Sequence, residues 1–335
     1  MGARGYDRGV KGAQTKRAAV ATVVATRRSA PRPIGSKLVV SEDGAMQGSV
    51  SGGCVESEVY ETCRAVLRGE APRLVTYGIS DDQAFEVGLP CGGEIDVFIR
   101  EADPQLESRV AALGERRAVL FTDLDGGAQQ LALEGEDATA DELLRGGHSK
   151  IVELEGRRVF ADVFGPPPRL LVYGAIDTAE ALCEAAKRLG WHTVVADARG
   201  RFATAERIPS ADELIVAWPE DVLAQVQPDH ATAVVVLTHD EKFDLPALVG
   251  ILATDAFYIG ALGSRRNQEK RHKRLLEAGV SEDALERIHG PAGLDVGAHT
   301  PTETALSILA EILAVRAGRS GGALRESTQR IHAEV

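Results

Sequence analysis

The sequence predicts an α/β protein: a C-terminal Rossmann-like, doubly wound parallel sheet preceded by a smaller N-terminal α+β domain. Three observations carry this. Leu170-Leu171-Val172-Tyr173 is a continuous apolar strand, followed by a turn at Gly174, a helical stretch over Thr178–Leu189, a strand over His192–Ala196 and then Asp197. That is the order of a dinucleotide-binding unit, whose acid falls roughly 20 residues after the turn. Further apolar runs at Glu213–Ala217, Ala233–Thr238 and Ala256–Ile259 alternate with helical stretches, as a parallel sheet covered on both faces requires. Before Pro166 the rhythm differs: strands, one helix, then strands.

The chain has 335 residues, more than one core usually fills, so two domains are expected. Residues 1–16 lack periodicity and read as a disordered N-terminus. Ala18–Thr26 is a β-branched apolar run and reads as a strand. It is too short, and too soon followed by Arg27 and Arg28, to be a signal peptide. Lys37–Val40 and Met46–Val50 flank Asp43-Gly44, a hairpin signal. Val55–Leu67 carries Val55, Val59, Cys63 and Val66 at helical spacing and stops at Gly69. Arg73–Tyr77 and Glu94–Arg100 read as strands, then a helix and a strand near Ala118–Thr122. From Gly126 to Gly147 the chain is polar and no element is read. Pro166-Pro167-Pro168 is a stiff linker between domains over 17–165 and 169–317. Thr300-Pro301-Thr302-Glu303 opens the last helix with a capping box, and Leu306, Leu309, Ile312 and Leu313 suggest its buried stripe. Residues 318–335 read as a flexible tail.

Net charge is −12, which argues against nucleic acid as a partner because phosphate binding needs concentrated Lys and Arg. No apolar run approaches the ~20 residues of a membrane helix, so a cytoplasmic protein without membrane contact is expected. The four cysteines, Cys54, Cys63, Cys91 and Cys183, form no C-x-x-C pair and are expected reduced. Cys63 and Cys183 fall on helix faces and read as core. Cys54 follows Gly52-Gly53 at a helix start, a position that favours thiolate. Cys91 sits beside Gly92-Gly93 in a second glycine-rich loop. Both thiols could hold sulfur or ligate a soft metal such as molybdenum, or simply be small packed side chains.

In the second domain the glycine fingerprint is incomplete. Ile176 and Ala179 stand where G-x-G-x-x-G has glycines, and a β-branched residue at the second position keeps a pyrophosphate away. Asp177 adds negative charge at the helix N-terminus, where a phosphate would otherwise bind. Gly174 could therefore serve the turn alone. Other strand ends offer ligand contacts: Thr238-His239-Asp240, Gly260 to Arg266 with Gly263, Ser264 and Arg265, and Gly290 to Gly297 with Gly293 and Asp295. Ligands of open α/β sheets sit outside such strand ends. Ordinary turns are the alternative. Gly35-Ser36-Lys37 is either an anion contact or a solvated turn.

Taken together, Pro33–Lys37, Ser51-Gly52-Gly53-Cys54-Val55-Glu56, Gly88-Leu89-Pro90-Cys91-Gly92-Gly93, Asp197-Ala198-Arg199-Gly200-Arg201-Phe202, Thr238-His239-Asp240, Tyr258–Arg266 and His289–Gly297 resemble the XdhC/CoxI family. These are accessory factors of xanthine dehydrogenase and aerobic carbon monoxide dehydrogenase. The resemblance implies binding of the molybdenum cofactor, as molybdopterin or its dinucleotide form, help with its sulfuration, and delivery to an apo-molybdoenzyme. It implies a chaperone-like role more than a catalyst, with a homodimer usual and a cysteine desulfurase as a further partner. On that basis the cofactor-binding candidates are Gly35, Ser36, Lys37, Gly52, Gly53, Cys54, Cys91, Gly92, Gly93, Gly174, Asp197, Arg199, Thr238, His239, Gly260, Gly263, Ser264, Arg265, Gly290, Gly293 and Asp295, with Cys54 and Cys91 toward the metal. An NAD(P)-dependent oxidoreductase is the alternative; it accounts for Asp197 but not for Ile176 or the two Gly-Cys loops.

Overall fold

A computed structural model of the chain describes residues 17–27, 30–78, 93–238 and 240–328. It separates into two compact units, one reaching to Pro166 and one spanning Pro167–Glu326.

In the first unit, β1 (Ala18–Arg27), β2 (Lys37–Ser41), β3 (Met46–Gly48), β4 (Arg73–Gly78) and β5 (Glu94–Glu101) form an antiparallel sheet in the order β3-β2-β1-β5-β4. The β-branched run of β1 takes the central place, where both of its faces are buried. On one face lies α1 (Glu56–Leu67), whose Val59, Cys63 and Val66 pack on Ala21, Val23, Leu38 and Val97. Cys63 is thus core, and burial pushes its thiol up to about 12.

The stretch read as featureless is structured. Beyond α2 (Pro104–Ala111), strands β6 (Ala118–Asp123), β7 (Gln129–Leu133), β8 (Lys150–Leu154) and β9 (Arg157–Phe164) make a second antiparallel sheet, β7-β6-β9-β8. Helix α3 (Ala138–Gly146) lies on it through Ala140, Leu143 and Leu144. The helix is short and buries few residues, so hydrophobic periodicity misses it. Its ends were legible nonetheless. Asp137 accepts the Ala140 N–H at 2.8 Å as N-cap, and Gly147 takes φ +67 as the left-handed C-cap.

The second unit is an all-parallel sheet of β10 (Arg169–Tyr173), β11 (His192–Ala196), β12 (Glu213–Ile215), β13 (Thr232–Val236), β14 (Tyr258–Ala261) and β15 (Ile288–His289), ordered β12-β11-β10-β13-β14-β15. Helices α4 (Asp177–Arg188) and α9 (Pro301–Arg316) cover one face. Helices α5 (Pro219–Val226), α6 (Glu241–Leu252), α7 (Arg265–Glu277) and the short α8 (Glu282–Leu285) cover the other. Strand order reverses between β10 and β13, which opens a crevice at their C-terminal ends.

Several boundaries and one helix face differ from the sequence reading. Strand β13 ends at Val236, so Leu237 and Thr238 belong to the loop above the sheet. Strand β14 is shifted to Tyr258–Ala261, which places Gly260 inside a strand rather than in a turn. The capping box at Thr300 and Glu303 is present, but α9 buries Ala305, Ile308, Leu309 and Ile312. Leu306 and Leu313 are 55% and 40% exposed, because packing against α4 and β14 turns the helix about one residue from the face read from its leucines.

Candidate functional site

The crevice at the strand-order reversal is built from the ends of β10, β11 and β13. Gly174 closes β10 with φ +116. A Cβ there would lie 2.9 Å from Thr238 Cγ2 and 3.0 Å from the Thr238 amide nitrogen, so close approach of the β13 loop demands glycine without any ligand. The turn aims the Ala175 N–H at Asp197 Oδ2, 3.0 Å away. Asp197 ends β11, is 1% exposed, and accepts three further bonds from Arg199: from its amide (2.9 Å) and Nε (2.9 Å) on Oδ1, and from Nη2 (2.8 Å) on Oδ2. Burial raises its pKa, but the bonds from Arg199 and Ala175 outweigh it and hold the carboxyl below the usual carboxylate range. Both Asp197 oxygens are thereby occupied within the protein.

Above this turn lies a groove of about 810 Å³ lined by Ile176, Arg199, Leu237, Thr238, Asp240, Glu241 and Lys242. Arg199 also borders a neighbouring depression of about 440 Å³ with Gly200, Arg201 and Phe202. The helix N-termini at the groove carry the protein's own acids. Asp177 and Glu180 occupy the first turn of α4, and Asp240 caps α6, followed by Glu241. Lys242 pairs with Asp240 at 3.2 Å, and Arg274 pairs with Glu241. Ile176 is the α4 N-cap residue, half-buried against the core, with its side chain at the groove wall.

Thr238 is buried, and its hydroxyl donates to Asp244. Arg271 Nη2 donates to Asp244 Oδ2 at 3.0 Å and to the Leu262 carbonyl at 3.1 Å, which ties the β13 loop to the loop after β14. Gln268 adds Nε2 to the Ala261 carbonyl at 2.9 Å. A Cβ on Gly290 would lie 2.5 Å from Gln268 Oε1, so that side chain would have to shift to admit one. Gly260 leaves room for the Tyr258 ring, whose hydroxyl donates to Glu311 at 2.5 Å. Glu311 also accepts the Gly293 N–H at 2.8 Å and pairs with His289 at 3.4 Å. Gly293 takes φ +110 against Ser307. Ser264 caps α7 and accepts the Asn267 N–H at 3.3 Å. Arg265 and Arg266 beside it are exposed, and among the described residues neither forms an ion pair. Gly263 precedes the cap with φ +140, and Asp295 is exposed. His239 lies outside the described residues.

In the first unit the Ser51-Gly52-Gly53 turn wraps a carboxylate of its own. Glu56 accepts the amides of Val50 (3.2 Å), Ser51 (2.8 Å), Gly52 (3.0 Å) and Gly53 (2.7 Å), the Ser49 hydroxyl at 2.6 Å and the Ser51 hydroxyl. Such an inward-facing ring of N–H groups is an anion nest. Burial opposes ionisation, but the Ser49 and Ser51 hydroxyls and the Ser51 and Gly53 amides outweigh it and hold Glu56 at about 2. Cys54 follows, exposed and free, with its amide donating to Ser51 Oγ at 3.0 Å. Cys91 and Gly92 lie outside the described residues, and Gly93 is buried at the entry to β5.

Lys37 opens strand β2 rather than lying in a solvated turn. Its Nζ donates to Asp162 Oδ2 at 2.5 Å in a largely buried pair that links β2 to β9. Gly35 (φ +85) and Ser36 shape the approach to β2 through Gly35 N–H to Val23 O and Val23 N–H to Ser36 O.

The structure thus gathers Gly174, Asp197, Arg199 and Thr238 at one crevice, and Gly260, Gly263, Ser264, Gly290 and Gly293 around the ends of β14 and β15. Leu237, Glu241 and Lys242 were not anticipated. The Asp240 N-cap after an apolar strand was the signal for them. Among the described residues no group of three His, Cys, Asp or Glu could hold a metal, and no helix is long and apolar enough to cross a membrane.

The chain is 31% identical over 304 residues to the molybdenum cofactor insertion chaperone PaoD of Escherichia coli, covering 90% of this chain and 84% of PaoD. The chain belongs to the XdhC and CoxI family. Residues 12–78 match the model of the XdhC and CoxI family, and residues 170–312 match that of the XdhC Rossmann domain. This family member is also 29% identical to a probable xanthine dehydrogenase subunit of Bacillus subtilis, over 89% of this chain and 93% of that one. Among solved structures it resembles a xanthine dehydrogenase from Bacillus halodurans with TM-score 0.65 and 26% identity, covering 94% and 95% of the two chains.

Proposed function

We propose that this chain binds the molybdenum cofactor as cargo and delivers it to an apo-enzyme of the xanthine dehydrogenase or carbon monoxide dehydrogenase type. The observation that carries the reading is the near full-length similarity to a protein named as a molybdenum cofactor insertion chaperone. The crevice suits a holder: it is open and mixed in charge, and Arg199 stands in it as a fixed cation.

In this reading the Rossmann-like domain, beginning after Pro166–Pro168, holds the nucleotide-like end of the cargo at Gly174, Arg199, Thr238 and His239. Gly263, Ser264 and Arg265 at the α7 N-terminus take phosphate, since that helix start is cationic where α4 and α6 are acidic, while Gly260 acts from within β14 by leaving room for the Tyr258 ring. Gly290, Gly293 and Asp295 border it. Cys54 and Cys91, each beside a glycine pair (Gly52-Gly53 and Gly92-Gly93), are the candidate contacts for sulfur or molybdenum. Gly35, Ser36 and Lys37 then act by shaping the first domain rather than by touching cargo. Sulfuration with a cysteine desulfurase, a cytoplasmic location and a homodimer complete the reading.

NAD(P) has weaker support. Its ribose would compete with Arg199 for Asp197, and its pyrophosphate would meet Ile176, Asp177 and Asp240.

Mass spectrometry of the protein purified from molybdenum-replete cells should find a bound pterin. Cys54→Ala with Cys91→Ala should lower activation of the target apo-enzyme. Protein free of pterin that also fails to activate any such enzyme overturns the proposal; full activation by the double variant removes the thiols from it.

A further inference from the structure

The acid that ends β11 is occupied in an unusual direction. In a dinucleotide site it faces a ribose. Here its two oxygens clamp Arg199 in a two-pronged pair, Nε to Oδ1 at 2.9 Å and Nη2 to Oδ2 at 2.8 Å, with the Arg199 amide closing the loop at 2.9 Å. Such a pair fixes the plane of a guanidinium as well as its position. Arg199 Cζ lies over the Phe202 ring, 4.1 Å from its centroid, and 5.9 Å from that of Phe243. Arg199 is nevertheless 36% exposed in its side chain and borders both depressions at the strand ends. Asp197 takes the Nε and Nη2 of the guanidinium, so Nη1 carries neither of these bonds.

We propose that Arg199 is a stacking plate for a nucleobase, with Asp197 as its positioning residue and Phe202 as its backing. A guanidinium plane accepts any base through its π-face, and Nη1 remains to donate to a ring oxygen or nitrogen. The surroundings favour a ring over a phosphate. Asp177, Asp240 and Glu241 disfavour an anion at this crevice even with Lys242 and Arg274 paired to two of them, whereas a neutral base finds the guanidinium beside the apolar Ile176 and Leu237, with Thr238 and the Asp240–Lys242 turn completing the lining. The inference rests on the crevice holding the nucleotide-like end of the cargo. It narrows the ligand to a nucleotide-bearing form, whose base comes either from the pterin's nucleotide arm or from a free adenine dinucleotide.

Calorimetric titration of the full chain with cytidine, guanosine and adenosine, their 5′-monophosphates, NAD+ and inorganic phosphate tests this. Nucleosides and nucleotides should bind in the millimolar range or tighter, and inorganic phosphate should not displace them. Arg199→Lys keeps the charge but loses the plane, and should weaken nucleoside binding at least tenfold, in keeping with the stacking energy of a base. Asp197→Asn should do the same while circular dichroism stays that of the parent. Preference for cytidine or guanosine assigns the base to the pterin's nucleotide, and preference for adenosine and NAD+ to an adenine dinucleotide; either supports the plate. Phosphate competing as well as nucleotide, nucleoside affinity unchanged in Arg199→Lys, or no binding of any base by the parent protein overturns it. Pterin found in protein from molybdenum-replete cells alongside such a result would leave the cargo reading standing, so the two failures are separable.

Discussion

Replacing Glu56 by Gln tests whether the Ser-Gly-Gly-Cys turn is shaped by its own carboxylate. The side chain gathers four backbone amides and two hydroxyls, and its pKa falls from an ordinary 4.5 to about 2. At about 1.4 kcal/mol per tenfold change in proton affinity, that gap sets a ceiling of roughly 3 kcal/mol for the ionised form. The carboxylate is only part-buried, so solvent screening reduces the expected cost of Glu56→Gln to about 1–2 kcal/mol. The sign follows from the lowered pKa. The contribution is full above the unfolded value near 4.5 and fades as pH falls through about 2. Urea unfolding of parent and variant at pH 7 and pH 3 gives the comparison, with the stability difference shrinking at the lower pH. The rate of Cys54 alkylation should change in parallel, since the turn that presents it loses its anchor. Equal stability at pH 7, or an undiminished difference at pH 3, would refute the reasoning.

Two other substitutions probe the framework of the sites. Gly174→Ala should destabilise the second unit by about 2–4 kcal/mol in thermal melts, from a positive φ combined with a 2.9 Å approach to Thr238; an unaltered melt would make Gly174 a ligand residue instead. Glu107→Ala strands Arg100, whose Nη2 donates to Glu107 Oε1 at 2.6 Å with both side chains buried, and should cost about 3–5 kcal/mol by denaturant midpoint.

Particular residues explain what was legible. The order Leu170–Tyr173, Gly174, Asp197 specified the parallel unit because a strand buried on both faces reads as an unbroken apolar run. The capping box at Thr300 and Glu303 is a local interaction and was visible as such. Helix α3 and strand β7 were missed because each buries few apolar residues. The leucine stripe of α9 was misread because which side of a helix is covered depends on its neighbours.

By itself the sequence determined the fold class, the glycine turns and the family, since strand–turn–helix order and turn chemistry are encoded within short stretches of chain. Only the tertiary structure decided where the charges go. Lys37 meets Asp162 on another sheet, Glu56 folds back into its own loop, and Asp197 turns from an expected ribose contact into the clamp of Arg199. A charged group commits to whichever partner the fold brings within hydrogen-bonding reach, and that distance is not written in the spacing of residues along the chain.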